Sequence, residues 1–94
     1  LEITDIIWLE DIVEKLAWKH NVMEYEVVEA LKNKPKFRFV ENGHIPGENL
    51  YAALSRTYAG RYLIVFFIYK KTGEALIVSA RNMTDSERSR YERK

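Results

Sequence analysis

Two hydrophobic periods follow one another along this chain, and the switch between them separates a helical first third from a strand-rich remainder. Ile3 to Trp8 (ITDIIW) is rich in β-branched residues and predicts a short first strand. From Glu10 to His20 the residues Ile12, Val13, Leu16, Ala17 and His20 recur at helical spacing, so this segment is predicted as a helix. Glu10 and Asp11 load its first turn, where the helix dipole favours anions. Asn21 then stands where a helix commonly ends in a left-handed residue; Gly suits that position best and Asn next. A second helix is predicted over about Glu24 to Asn33, with Val27, Val28 and Leu31 as its apolar stripe. Met23 at its N-cap has no oxygen for the free amides, a deficit of about 1 kcal/mol relative to Ser or Asp. Pro35 stops it.

Past Pro35 the period shortens to two. Phe37 to Val40, Leu50 to Thr57, Tyr62 to Tyr69 and Ala75 to Asn82 are predicted as strands, with a loop over Glu41 to Asn49 marked by Asn-Gly and Pro-Gly. Tyr62 to Tyr69 is apolar at every position, which predicts a central strand covered on both faces. Short connections, one of them through Thr72-Gly73, make the last three strands an antiparallel meander. Thr84-Asp85-Ser86-Glu87 is a capping box and opens a C-terminal helix reaching about Arg93. Strand, helix, helix, strands, helix is the order of an α+β fold, with the helix pair on one face of an antiparallel sheet of three to four strands. No linker divides the chain, so residues 1–94 are expected to form one domain.

Composition changes the picture mainly by exclusion. At 94 residues and 47% hydrophobic content there is enough for one modest core. The absence of cysteine rules out disulfides and Cys-rich zinc sites, and makes a reducing cytoplasm the default location. His20 and His44 are the only histidines and are not at ligand spacing, so no metal and no cofactor is expected. Neither a phosphate-binding G-x-x-x-x-G-K-[ST] loop nor a G-x-S-x-G elbow occurs. The longest apolar run, Tyr62 to Tyr69, is far short of the roughly 20 residues that span a bilayer, and no charged-then-apolar targeting pattern is read at the start. No membrane partner is expected.

The net charge of +1 hides an asymmetry. Residues 1–29 hold eight acidic residues against Lys15 and Lys19, whereas residues 30–94 hold 13 basic against six acidic. Such a split suggests a polyanionic or acidic partner for the basic part, or halves that neutralise one another in the fold. Among the basic residues, alternation groups Arg56 with Leu50, Ala52 and Leu54, and Arg81 with Ala75, Ile77 and Ser79. Both occur at or near strand ends, where guanidiniums can grip one phosphate bidentately; the plainer role is a surface arginine with its stem over the sheet. His20, at a helix C-terminus, is a candidate acid or base, or a residue packed on the sheet. Lys15 and Lys19 lie one turn apart on one helix face, as site residues or as solvated charges. Tyr51, Tyr58, Tyr62 and Tyr69 could stack on bases or finish the edge of a core.

The segments WLEDIVEKLAWKHNV and IVSARNMTDSERSRYE, with the helix and meander between them, resemble the BrnT toxins, small RelE-like ribonucleases of bacterial type II toxin–antitoxin pairs. The most specific part is Ile77, Val78, Ser79, Ala80 and Arg81, followed by Thr84, Glu87, Arg88, Tyr91 and Glu92; Lys19-His20-x-Val22 and the Arg56, Gly60, Arg61 rhythm add to it. The chain departs from the family pattern at Asn21, where Gly is usual, and at Met23, where Ser or Thr caps the helix. The resemblance implies a RelE-like fold and a metal-independent endoribonuclease in which the ribose 2′-hydroxyl attacks the adjacent phosphate. It implies Arg81, foremost, and Arg56 as phosphate clamps, Lys19 or His20 in proton transfer, and Arg61, Arg88 and Lys15 as RNA contacts. A cognate BrnA-like antitoxin would cover the basic groove, and DNA would be bound only through that antitoxin. The other reading is a catalytically inactive BrnT-like module that only engages a protein partner.

Overall fold

The computed structural model describes residues 1–93, and the elements follow the expected order: β1 (Asp5–Ile7), α1 (Glu10–His20), α2 (Glu24–Lys32), β2 (Lys36–Glu41), β3 (Asn49–Arg56), β4 (Tyr62–Tyr69), β5 (Glu74–Asn82) and α3 (Asp85–Glu92). The fold is α+β. One sheet runs in the order β1-β5-β4-β3-β2. Strands β2 to β5 are the antiparallel meander, but β1 joins β5 in parallel, so the sheet is mixed and has five strands rather than three or four. A strand that precedes the helices returns beside the last strand only after the whole meander, and no tight turn dictates an antiparallel pairing. β1 is also shorter than the apolar run suggests, because Ile3 and Trp8 pack on the core from outside the ladder.

The helix ends show how local chemistry sets the frame. Asn21 takes the left-handed conformation (φ 53°, ψ 39°), and the Val22 N–H donates to the Leu16 carbonyl at 3.0 Å. That bond turns the chain sharply and drives Val22 into the core, where it is 1% exposed. Met23 supplies no capping oxygen to α2, but the Glu26 carboxylate accepts from the Met23 N–H at 3.0 Å and meets part of the deficit. At α3 both halves of the capping box form: Glu87 N–H donates to Thr84 Oγ1 (3.1 Å) and Thr84 N–H donates to Glu87 Oε1 (2.8 Å).

α1 packs on β5 and α2 on β3, closing the main core on one sheet face. Leu16, Val22, Val27 and Ala30 meet Ala53, Leu63, Val65, Phe67, Ala75, Ile77 and Ala80 there. The alanines let the helices approach the sheet, and Phe67 fills the middle, with Phe37 edge-on at 5.9 Å and Tyr51 stacked at 6.1 Å. β4 is central, as its sequence predicts; Leu63, Ile64, Val65 and Phe67 are fully buried. On the second face a smaller cluster of Ala52, Leu54 and Ile64 lies beside Phe66, Met83 and Tyr91, the last contributed by α3.

Two β-bulges interrupt the ladder. In β2 the register skips between Phe39 and Glu41; in β5, Phe67 pairs with Ile77 and Phe66 with Ser79, which leaves Val78 as the extra residue. The β5 bulge corrects strict alternation. Ala75, Ile77 and Ala80 face the helices, whereas Arg81 pairs with Ile64 and lies over Phe66 on the opposite face, not with Ala75 and Ile77. Val78→Lys should therefore change stability by no more than about 1 kcal/mol. Ala80→Lys, which strict alternation would put on the same face as Val78, should abolish cooperative urea unfolding, because it buries an unpaired ammonium under the helices. Equal effects of the two substitutions would refute the bulge.

Candidate nucleic-acid interface

The β3–β4 hairpin and the start of α3 build the basic end of the second face. Arg56 closes β3 and pairs with Tyr62, which opens β4. Gly60 turns the hairpin at φ +97°, and a Cβ there would come within 3.1 Å of Arg56 Nη2, so the glycine serves both the turn and the arginine. The Arg56 guanidinium carbon lies 4.6 Å from the Tyr62 ring centroid, and that of Arg88, on α3, lies 4.0 Å from the same centroid. Tyr62 is fixed by edge-on contact with Tyr91 at 6.0 Å and by donating its hydroxyl to Glu92 Oε2 at 3.2 Å. Arg56, Arg61 and Arg88 line a shallow cavity of about 460 Å³ together with Tyr62, Asn82 and Asp85. Among the described residues Arg56 forms no ion pair, and Arg88 has only an exposed contact with Glu92 at 3.4 Å.

Arg61, expected to contact RNA, is engaged inside the fold. Its Nε donates to Asn82 Oδ1 (2.7 Å), Nη1 donates to the Asn21 carbonyl (2.7 Å) and to Glu26 Oε1 (2.9 Å), and Nη2 donates to the His20 carbonyl (3.2 Å). One guanidinium thus ties the α1–α2 junction to the end of β5. Its geometry suits this task, since its five donors form a rigid planar fork.

Arg81, the leading candidate from sequence, is also held. It makes a bidentate pair with Glu87 (Nη1–Oε1 2.7 Å, Nη2–Oε2 3.0 Å), and its guanidinium carbon lies 5.5 Å from the Phe66 centroid. The hydrogen bonds from Arg81 hold the Glu87 carboxyl down at about 2, from an ordinary 4.5, and those bonds in turn raise Arg81. Arg81 shares a sheet face with Arg56 but does not line the cavity that Arg56 shares with Arg88.

The remaining candidates lie apart. Lys15 and Lys19 are exposed on α1, in the helix layer. His20 is half-buried at the end of α1, and only its carbonyl is linked to the basic end, through Arg61. His44 lines a separate small cavity with Ile68 and Leu76, near the opposite end of β4 from Tyr62, about 20 Å along the strand. Among the described residues no three His, Asp or Glu side chains are grouped to hold a metal ion, and no helix is long and apolar enough to cross a membrane. Tyr62, Asp85 and Glu87 complete the site; Tyr62 was among the tyrosines offered for stacking and Glu87 closes the capping box, whereas Asp85 lies inside that box with no role of its own assigned. No protein-family model matches the chain, and no curated protein matches it.

Two outcomes follow from this division of the arginines. Arg61→Ala should lower unfolding free energy by about 2 kcal/mol, because it strands the half-buried Glu26 carboxylate, whereas Arg56→Ala should stay within about 1 kcal/mol of the parent in the same urea titration. For Glu87 the folded-state value lies below the unfolded one, so its contribution is full above about pH 4.5 and is lost as pH falls through about 2. Glu87→Gln should flatten the acid limb of stability in that window; an unchanged acid limb would mean that the pair contributes nothing.

Proposed function

We propose that the chain is a RelE-like toxin of the BrnT type, a metal-independent endoribonuclease that acts in the cytoplasm and is silenced by a cognate BrnA-like antitoxin. The observation that carries this reading is the meeting of Arg56 and Arg88 over one ring, Tyr62, in a cavity open to solvent. Two guanidinium carbons that close to one centroid are at most about 9 Å apart, within reach of a single phosphodiester. Like charges brought together without an enclosed counterion make a site for an anion.

In this reading RNA enters at the mouths of β3 and β5. The 2′-oxygen attacks the neighbouring phosphorus, the P–O5′ bond breaks, and the products end in a 2′,3′-cyclic phosphate and a 5′-hydroxyl. Arg56 and Arg88 stabilise the charge gathered on the phosphoryl oxygens, and such preorganised charge is usually the main source of rate enhancement in reactions of this kind. Asp85, the carboxylate on the cavity wall, takes the 2′-hydroxyl proton, and solvent protonates the departing oxygen. Lys19 and His20 do not border that wall. Arg81 acts as a positioning residue, anchoring α3 through Glu87 so that Arg88 stays over Tyr62. The antitoxin would cover this basic end and alone engage DNA.

A second reading, a protein-binding module without catalysis, is favoured by the Arg81–Glu87 pair, which neutralises the arginine nearest the bulge. Incubation with a defined RNA in excess EDTA separates the two. The parent should give discrete products with cyclic phosphate ends, and Arg56→Ala or Arg88→Ala should slow cleavage by about 30- to 1,000-fold, equivalent to about 2–4 kcal/mol. No cleavage by folded parent protein would leave the binding module as the reading to pursue.

A further inference from the structure

The helix layer carries a surface that the basic end does not use. Between α1 and α2 runs an open groove of about 750 Å³, lined by Val13 of α1, by Met23 at the N-cap of α2 and by Tyr25 and Val28 of α2. Tyr25 is 63% exposed, and Trp18, on the outer side of α1, is 77% exposed. A helix pair that served only to cover a sheet would place polar side chains at these positions. Glu24 and Glu29 also line the groove, and Glu10, Asp11 and Glu14 are exposed on α1 beside it. Among the described residues none of Glu10, Asp11, Glu14 and Glu24 forms an ion pair.

We infer that this groove receives an amphipathic helix of a partner protein whose polar flanks are basic. An apolar floor between two helices takes the i, i+3, i+4, i+7 side chains of a third helix. The 11 residues of α1 run about 16 Å, enough for about three turns of such a partner. Eight acidic residues against two basic in residues 1–29 attract positively charged flanks and repel phosphate, so a protein and not a nucleic acid fits here. A second copy fits less well. The basic helix this chain could offer, α3, is tethered to its own sheet by Lys36, which donates to the Tyr91 and Arg93 carbonyls, and by the Arg81–Glu87 pair. The inference does not rest on the ribonuclease reading, since the groove is on the helix side of the sheet and the arginine cavity is not lined by α1 or α2.

The probe is a fluorescein-labelled synthetic peptide of about five helical turns, with leucines on one face and lysines and arginines on its flanks. It is compared with a scrambled peptide of the same composition and with one carrying Glu in place of the basic residues. Anisotropy should show saturable one-to-one binding of the amphipathic basic peptide only. Glu14→Lys with Glu24→Lys, and separately Tyr25→Asp, should each weaken it by about tenfold or more; all three positions are exposed, and thermal unfolding checks that the variants stay folded. Equal binding of the scrambled peptide, binding kept in both variants, or no binding by the parent would overturn the inference. So would concentration-dependent self-association that Tyr25→Asp abolishes, which would give the groove to a second copy.

Discussion

One extra residue, Val78, sets the phase of β5, and the charged end of the molecule depends on it. Before the bulge, odd-numbered residues Ala75 and Ile77 face the helices; after it, the even-numbered Ala80 does. A period of two without a bulge would turn Arg81 toward the helix layer, where a guanidinium has no partner and burial would cost several kcal/mol. With the bulge, Arg81 emerges over Phe66, where it meets the Glu87 carboxylate. Glu87 already closes the capping box of α3, so one side chain both starts the helix and fixes it to the sheet. α3 buries no residue fully, and these polar ties share the task of placing it with Tyr91, which packs beside the Ala52, Leu54 and Ile64 cluster and edge-on to Tyr62. Together they bring Arg88 over Tyr62.

The nearly balanced net charge conceals a sorting of the arginines by what they bind. Arg61 and Arg81 each meet a glutamate within the fold and serve as fasteners, one for the helix junction and one for α3. Arg56 and Arg88 rest on an aromatic face, Arg56 with no ion pair among the described residues and Arg88 with only a long, exposed one to Glu92. Counting charges along the sequence does not distinguish these groups. The distinction arises in space, where Glu26 comes to Arg61 from 35 residues away.

The order and type of the elements were legible because they rest on local signals. The helical spacing of Ile12, Val13 and Leu16, the left-handed Asn21, the unbroken apolar run of β4 and the Thr84–Glu87 box all sit where they were expected. The parallel β1 was not, since pairing between residues some 69 positions apart leaves no mark on either strand. The site was legible by residue type but not by arrangement. Arg56 falls where alternation puts it. Arg81 does reach the second face, but through a bulge that no Gly or Pro announces. Tyr62 and Arg88 were each candidates, one for stacking and one through the family resemblance, but nothing in the sequence joins them until the sheet and α3 bring them together.

Magnitudes explain why the aromatic ring belongs in the basic end. At the widest separation the two centroid distances allow, about 9 Å, two like charges repel by about 0.5 kcal/mol at the dielectric of water and about 2 kcal/mol at an effective value near 20, and more if closer. Each guanidinium over a tyrosine face recovers about 0.5–1 kcal/mol. The ring therefore offsets a good part of the repulsion at that separation, and the one carboxylate at hand, Glu92, sits at the Tyr62 hydroxyl with only an exposed 3.4 Å contact to Arg88. An acidic side chain in that place would have fastened the arginines more strongly, as Glu87 does Arg81, and would have filled the position an anion needs. A neutral aromatic clamp keeps the pair ordered while leaving its charge available, which is the physical difference between an arginine that holds a fold together and one that can bind a phosphate.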